Sequence, residues 1–448
     1  MSQPQIYVTL AVFGAVIVAI AFDLVDMLVA ALLGVSILVA TAILGEQDIL
    51  AALRTGGGPL SLLFGGMVVA RTLAGTGIFD RVGAIYLRAT RGDGKRFLLL
   101  LVALVAPLCA FLPNATTVIL LAPIIVRVTT ALELDIVGPL IVTAIISNSS
   151  GLLTLVGDPA TFLVGSSIGM SFGQYLRTVS LGGLLSVIVL VPLLPLLMPS
   201  LWRVRRTLPP EEPPRPLQHP WFAVLALAVL ALMLLLFVFG ERLPVAIGPP
   251  AVSILAASLA LLLIYCAKVE SVDAVLRDID WKTLVFLGGI FCLVEAMTKT
   301  GLLQGMVVKL HNWVGTDLTL VSLGLIAGIA LLSSVLANIP VVAASLLMVR
   351  GYLVAAAVVP EGAMGRHFTD WPPAVLPVFV AMMFGATLGG NATLIGASAN
   401  IVTAGICAQN GRRVTFGQWL RYGVPLTVGQ LALAAVYVLA LLRLARER

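Results

Sequence analysis

The chain has 448 residues, 60% of them hydrophobic and only 11% charged. Soluble domains carry about 25% charged residues, so this composition, with a mean hydropathy of +1.09, predicts a polytopic membrane protein with no soluble domain between its apolar runs. The net charge of +6 comes mostly from Arg in connecting segments, a pattern that orients a chain in a membrane and argues against a nucleic-acid module.

Apolar runs near the ~20 residues that cross a hydrocarbon core recur from end to end. The first, Ile6–Phe22, lacks a basic n-region and a small-residue cleavage site, so it reads as a retained span. It is followed by Met27–Leu44 and Leu60–Leu73, a re-entrant pair Phe97–Leu112 and Ala115–Thr130, a broken helix over Gly138–Met170, and Ser180–Met198. A linker rich in Arg and Pro, residues 200–220, leads to Trp221–Phe239, Ala251–Cys266 and Thr283–Met297. Then come a second pair, Leu318–Leu336 and Val341–Leu353, a second broken helix over Ala374–Ala408, and Val424–Leu442. Cys109, Cys266, Cys292 and Cys407 lie in or beside apolar runs without CxxC spacing and read as small core hydrophobes.

The two sets match in order. Phe64-Gly65-Gly66 answers Leu287-Gly288-Gly289, and Gly75-Thr76-Gly77-Ile78 answers Lys299-Thr300-Gly301-Leu302. Pro113-Asn114-Ala115-Thr116 answers Ala337-Asn338-Ile339-Pro340, GLLTLVG (151–157) answers GNATLIG (390–396), and FGQYLR (172–177) answers FGQWLR (416–421). The fold class expected is therefore all-α with two repeats, residues 1–199 and 221–448. Each would hold five spans, one of them broken (about 138–170 and 374–408), plus a hairpin (about 97–130 and 318–353). An odd number of crossings turns the second repeat upside down. The loops this scheme makes cytoplasmic hold, with Arg127, 16 of the 27 Lys and Arg, in keeping with the positive-inside tendency, although Arg443, Arg446 and Arg448 fall on the other side.

The stretch Met383–Gly405 carries two Asn, three Thr, one Ser and five Gly among apolar helices. As an unbroken helix it would place polar groups in lipid, and a break is tolerated only where protein or a cavity covers it, so it marks a solute site. Asn114 and Asn338 stand at the hairpin tips, where an uncharged amide either binds a polar solute or caps backbone. Ser147, Asn148, Ser149, Ser150 and Thr154 line the first break, and Asn391, Thr393, Ser398 and Asn400 the second. Gly151, Gly157, Gly389, Gly390 and Gly396 let the backbone turn there. Asp158 has Ala397 as its counterpart. An acid at this depth is either a binding group for a coupling ion or proton or the N-cap of a half-helix opened by Pro159.

Other charges carry blander readings. Glu295 and Lys299 are spaced to pair, Arg71 snorkels from the end of its span, and Asp23 and Asp26 mark a solvated turn. His219, His311 and His367 fall in loops, which argues against a histidine proton relay. No phosphate loop, nucleophile set or metal-ligand spacing is present, so neither an enzyme, a cofactor nor a metal centre is expected.

PNATTVILLAPIIVR, SNSSGLLTLVGDPATFLVG, NIPVVAASL and GATLGGNATLIGASANIVTAGI together resemble the ion transporter superfamily, in particular the branch of arsenite efflux permeases, NhaD-type sodium/proton antiporters and the pigment-cell P protein. The resemblance implies an elevator-type secondary transporter of a bacterial-type inner membrane, a homodimer with scaffold and transport domains. It implies substrate and ion contacts at Asn114, Thr116, Asn148, Asn338, Asn391, Thr393 and Asn400, with Asp158 for the coupling ion or proton; Thr117, Ser149, Thr154 and Ser398, beside them in the hairpin tip and the breaks, complete the expected substrate-binding set. The dicarboxylate branch has Ser-Asn-Thr at both tips. Here the tips read Pro-Asn-Ala-Thr and Ala-Asn-Ile-Pro, which argues against sodium-coupled dicarboxylate uptake. Amides, hydroxyls and one carboxylate suit arsenite or antimonite efflux coupled to proton entry, with sodium/proton exchange as the alternative. The Arg203–Arg215 loop is a candidate docking place for a soluble ATPase partner, and a non-transporting receptor or scaffold is the contrasting class.

Overall fold

A backbone immersed in hydrocarbon must bond to itself, and a helix does so within one segment. The computed structural model describes residues 3–21, 24–206, 217, 219–301, 315–336, 338–364, 368 and 370–447. Asp23, linker residues 207–216 and 218, Leu302, His311, Ala337, His367 and Arg448 lie outside them. Among the described residues no strand forms, only an isolated bridge between Asp93 and Arg205.

In chain order α1 (Gln3–Ala21), α2 (Met27–Ala40), α3 (Glu46–Ala74) and α4 (Ile78–Thr90) precede a hairpin of α5 (Gly94–Cys109) and α6 (Asn114–Ala131). A first broken helix follows as α7 (Val137–Ser150) and α8 (Pro159–Ser167). Then come α9 (Phe172–Thr178), α10 (Ser180–Ile188), α11 (Leu190–Leu197) and α12 (Pro199–Arg203). The second part runs α13 (Pro220–Phe239), α14 (Pro249–Ala267), α15 (Val272–Arg277) and α16 (Trp281–Thr300). Next are a hairpin of α17 (Leu318–Val335) and α18 (Asn338–Ala355), a second broken helix of α19 (Leu376–Gly389) and α20 (Ser398–Gln409), and the long α21 (Phe416–Arg446). Among the described residues ten helical stretches are long and apolar enough to cross a membrane. The protein is an all-α polytopic membrane protein.

Helix packing gathers the elements into two groups. α3 lies along α14 and α16, with α1, α2 and α13 beside them. In the other group α5 and α6 pack on α7, α20 packs on α6 and α7, and α19 runs between α17 and α21. The groups meet where α8 touches α3 and α18 touches α16.

Several boundaries differ from the sequence reading. The span expected at Leu60–Leu73 is the 29-residue α3, which begins at Glu46 and carries Gly56, Gly57, Gly58 and Pro59 inside it. Those residues fall outside the expected span, but the segment is helical and closely packed: a Cβ on Gly56 would lie 2.3 Å from the Phe291 ring. The span expected at Ser180–Met198 is present as Ser180–Leu197, with a one-residue interruption at Val189 between α10 and α11 and Pro195 inside the second. The solvated turn at Asp26 caps α2, and the Lys282 ammonium bonded to it holds its carboxyl below the ordinary range. Arg71 bridges Glu270 at 2.5 Å and Asp278 at 2.7 Å, tying the end of α3 to the α14–α15 region. Lys299 reaches Asp48 at 2.6 Å, joining α16 to the start of α3.

Arg350 is buried in α18. It donates from Nη2 to Ser167 O at the C-terminal end of α8 and stacks 5.3 Å from the Trp371 ring centroid. A cation suits the negative pole of a helix, so α18 grips the second half of the first broken helix by its far end.

A close backbone crossing in the first group rests on Gly65. A Cβ there would lie 2.4 Å from Ser253 O on α14, and backbone cannot move aside as a side-chain tip can. Gly65→Ala is expected to cost about 1–3 kcal/mol, read as a lowered thermal midpoint in detergent. Gly57→Ala, which meets nothing within 4 Å, should leave the midpoint unchanged or raise it.

Candidate transport site

The first break opens where α7 ends at Ser150 and a short 3-10 turn, Gly151–Leu153, gives way to extended chain. Asp158 then starts α8 as its N-cap, Oδ1 accepting from Ala160 N at 3.3 Å, with Pro159 in the first turn. Gly151 and Gly157 allow the two strands of the loop to touch, since a Cβ on Gly157 would stand 2.8 Å from Gly151 O. The tip of the first hairpin is stitched to this break. Thr154 Oγ1 donates to Ala110 O, Ser147 Oγ donates to Asn114 O at 3.0 Å, and Cys109 Sγ donates to Ser147 Oγ at 3.0 Å. The Asn114 Nδ2 lies 3.6 Å from where a Gly151 Cβ would be.

The second break repeats these contacts at matched positions. A Cβ on Gly396 would lie 2.5 Å from Gly390 O, and one on Gly390 would lie 2.7 Å from the Asn338 amide. That amide, oriented by its neighbours, donates to Ala386 O at 3.3 Å and Gly396 O at 3.1 Å. Thr393 Oγ1 donates to Ser334 O, as Thr154 does to Ala110 O. Trp419 Nε1 donates to Asn391 O at 3.0 Å, as Tyr175 OH does to Leu152 O at 3.3 Å. Capping boxes open α9 (Ser171 with Gln174) and α21 (Thr415 with Gln418), and Gly77 and Gly301 both take positive φ.

The two breaks meet in a buried polar network. Asn148 Nδ2 donates to Asn391 Oδ1 at 3.0 Å and to Asn400 Oδ1 at 2.9 Å. Asn391 Nδ2 in turn donates to Ser149 Oγ and Gln430 Oε1, both at 3.0 Å. Gln430 Nε2 donates to Ser149 Oγ at 2.7 Å and Ser186 O at 2.8 Å. Asn400 Nδ2 satisfies the freed carbonyls of Gly390 and Thr393, each at 2.8 Å. Every amide N–H pair in this cluster is used. Two acceptors are left over: Asn148 Oδ1 and, at the hairpin tip, Asn114 Oδ1 are buried with no hydrogen-bond partner among the described residues. Ser150 bonds back to Ile146 O in its own helix.

Asp158 is 4% exposed, and its second oxygen accepts from Thr387 Oγ1 at 3.1 Å. Thr387 belongs to α19, so the second broken helix supplies the partner of the acid in the first. Thr117 is buried and bonds back to Pro113 O at 3.2 Å, while Thr116 is half-buried beside Asn114. Ser398 is exposed on the first turn of α20. Its helix starts behind Ala397 with no side-chain cap, whereas the matching start of α8 carries Asp158.

Two residues of the site escape sequence reasoning. Gln430 had a signal: it is an amide inside the long apolar α21 and sits at the position that FGQWLR matches to Ser186. Thr387 lies inside GATLGG, where nothing local marks it. Replacing Gln430 with Met removes the acceptor of one Asn391 amide N–H and the side-chain donor to Ser186 O. A buried unsatisfied group costs about 1–3 kcal/mol, so Gln430→Met should lower the thermal midpoint in detergent while Gln430→Glu or Gln430→Asn retains part of it.

An uncharacterized transporter of Synechocystis sp. is 41% identical over 96% of both chains. An uncharacterized transporter of Mycobacterium tuberculosis is 30% identical over 96% of this chain and 97% of its own. The human P protein is 26% identical across 98% of this chain and 60% of that protein. In three dimensions the crystal structure of the Alcanivorax borkumensis YdaH transporter superposes with a TM-score of 0.53 at 14% identity, covering 87% of this chain and 86% of that one, which is a likeness of fold. The family model described as CitMHS, citrate transporter, matches residues 17–365, and with the full-length transporter relatives it places this membrane protein in the CitMHS family of the ion transporter superfamily.

Proposed function

We propose that this chain is a secondary active transporter that exports arsenite or antimonite in exchange for protons, with Asp158 as the coupling group. One observation carries the substrate class: the buried groups left unsatisfied at the breaks and the first hairpin tip, Asn114 Oδ1 and Asn148 Oδ1, are acceptors. Their best complement is a donor or a cation. Arsenous acid is uncharged at neutral pH and brings three O–H donors. It enters a site of amides and hydroxyls at small desolvation cost, whereas an anion brings more acceptors. Asp158 adds a buried carboxylate that takes up a proton on one side of the membrane and releases it on the other. The matched bonds of the two breaks support a pair of inverted repeats, and the two helix groups support a scaffold and a moving transport domain of an elevator dimer.

Two other substrates have specific support. The same orphan oxygens suit sodium, which makes sodium/proton exchange the second reading. The family's description favours citrate. So do the N-termini of α6 and α20, which lack side-chain caps and present partial positive charge to a carboxylate.

Growth of an arsenite-sensitive, efflux-deficient host and flux into proteoliposomes separate these readings. Arsenite resistance and pH-gradient-driven arsenite accumulation in everted vesicles are expected; sodium-dependent proton movement alone, or citrate uptake alone, rejects the arsenite reading. In the same vesicles Asp158→Asn should abolish accumulation against a gradient. Thr387→Val should weaken it, and Thr387→Ser, which keeps the hydroxyl, should restore it.

A further inference from the structure

Between α4 and α5 the chain turns through Arg91 and Gly92, both at positive φ (+50° and +72°), and closes against the segment leaving α12. Arg206 N donates to Gly92 O at 2.9 Å and Gly94 N to Val204 O at 3.0 Å. A Cβ on Gly92 would lie 1.7 Å from Arg206 O, and one on Gly94 would lie 1.9 Å from Leu201 O, so glycine is required at both. The start of the linker is thus clasped to the base of the first hairpin.

Two acids near this clasp are already engaged, Asp93 with Arg205 at 3.5 Å and Glu133 with Arg206 at 3.1 Å. Arg91, Arg96 and Arg203 remain, all exposed, and none has a carboxylate partner among the described residues. Lys95 stands over the half-buried Trp202 ring, 5.6 Å from its centroid. These cations sit where the apolar runs of α5 and α11 stop, which is the depth of lipid headgroups, and a Trp at that depth is typical of the interface. α4 adds a face with Ile85, 64% exposed, between the exposed Arg81 and Arg88 four residues before and three after it. An apolar side chain flanked by arginines on one helix face fits a surface lying in the headgroup layer.

We propose that the α4–α5 turn and α12 form a binding site for an anionic phospholipid, its phosphate held by Arg91, Arg96 and Arg203, with Trp202 and Ile85 against the upper acyl chain. The pairing of unneutralised guanidinium groups with the exposed Ile85 favours a lipid over a soluble acidic protein, which would leave Ile85 without an apolar partner.

The test uses the full-length protein in neutral detergent, titrated with phosphatidylglycerol or phosphatidylcholine while thermal unfolding is followed. Phosphatidylglycerol should raise the midpoint and phosphatidylcholine should not. Arg91→Gln/Arg96→Gln/Arg203→Gln should lose at least half of that shift, while Arg413→Gln/Arg421→Gln keeps it. An equal shift in the triple variant, an equal shift with phosphatidylcholine, or an equal shift with glycerol phosphate overturns the proposal. Phosphatidylglycerol co-purifying with each form, counted by native mass spectrometry, decides the case in which the triple variant is itself less stable. A count at or below half that of the wild type supports the site and an unchanged count overturns it. Retained phosphatidylglycerol with loss of a co-purifying acidic protein overturns it in favour of a protein partner.

Discussion

An interrupted helix in hydrocarbon exposes carbonyls and amides that no solvent can satisfy, and this molecule answers that constraint with its own side chains. Asn400 takes the carbonyls of Gly390 and Thr393, Trp419 takes Asn391 O, Tyr175 takes Leu152 O, and Thr154 and Thr393 reach back to the hairpins. Everything else in the centre follows from these bonds. Because each break is covered by the tip of a hairpin, the glycines at 151, 157, 390 and 396 must be bare enough for backbone to meet backbone.

The same network separates structure from chemistry within one motif. The amide N–H groups of Asn148, Asn391 and Asn400 all serve the protein itself, so truncating any of them acts first on packing. The buried amide oxygens without a partner near the breaks are Asn114 Oδ1 and Asn148 Oδ1, and such acceptors are complemented by a group that brings hydrogens or positive charge.

α8 shows how the two parts of the chain depend on each other. Its first turn is capped by Asp158, whose other oxygen is held by Thr387 of α19, and its last carbonyl, Ser167 O, is gripped by Arg350 of α18. Both clamps come from the second half of the sequence. A short helix of nine residues has little stability alone, so its position, and with it the position of the acid, is set by tertiary contacts at both ends.

Much of this was legible in the residues. Apolar runs of membrane-crossing length, polar stretches rich in Gly and Asn inside two of them, and Asn at two hairpin tips determined an all-helical membrane transporter and the positions of its two helix breaks, because the bilayer leaves so few other uses for such segments. Local signals failed where a remote partner decides the outcome. Gly56 to Pro59 fall outside the expected span but are helical against Phe291; Lys299 reaches Asp48, 251 residues away; Gln430 and Thr387 acquire their roles only from what faces them. Sequence alone could name Asp158 and the two breaks. Only the packed structure could say which of their atoms are spent on holding the fold and which remain free to bind, since hydrogen-bond satisfaction is a property of pairs brought together by the whole chain.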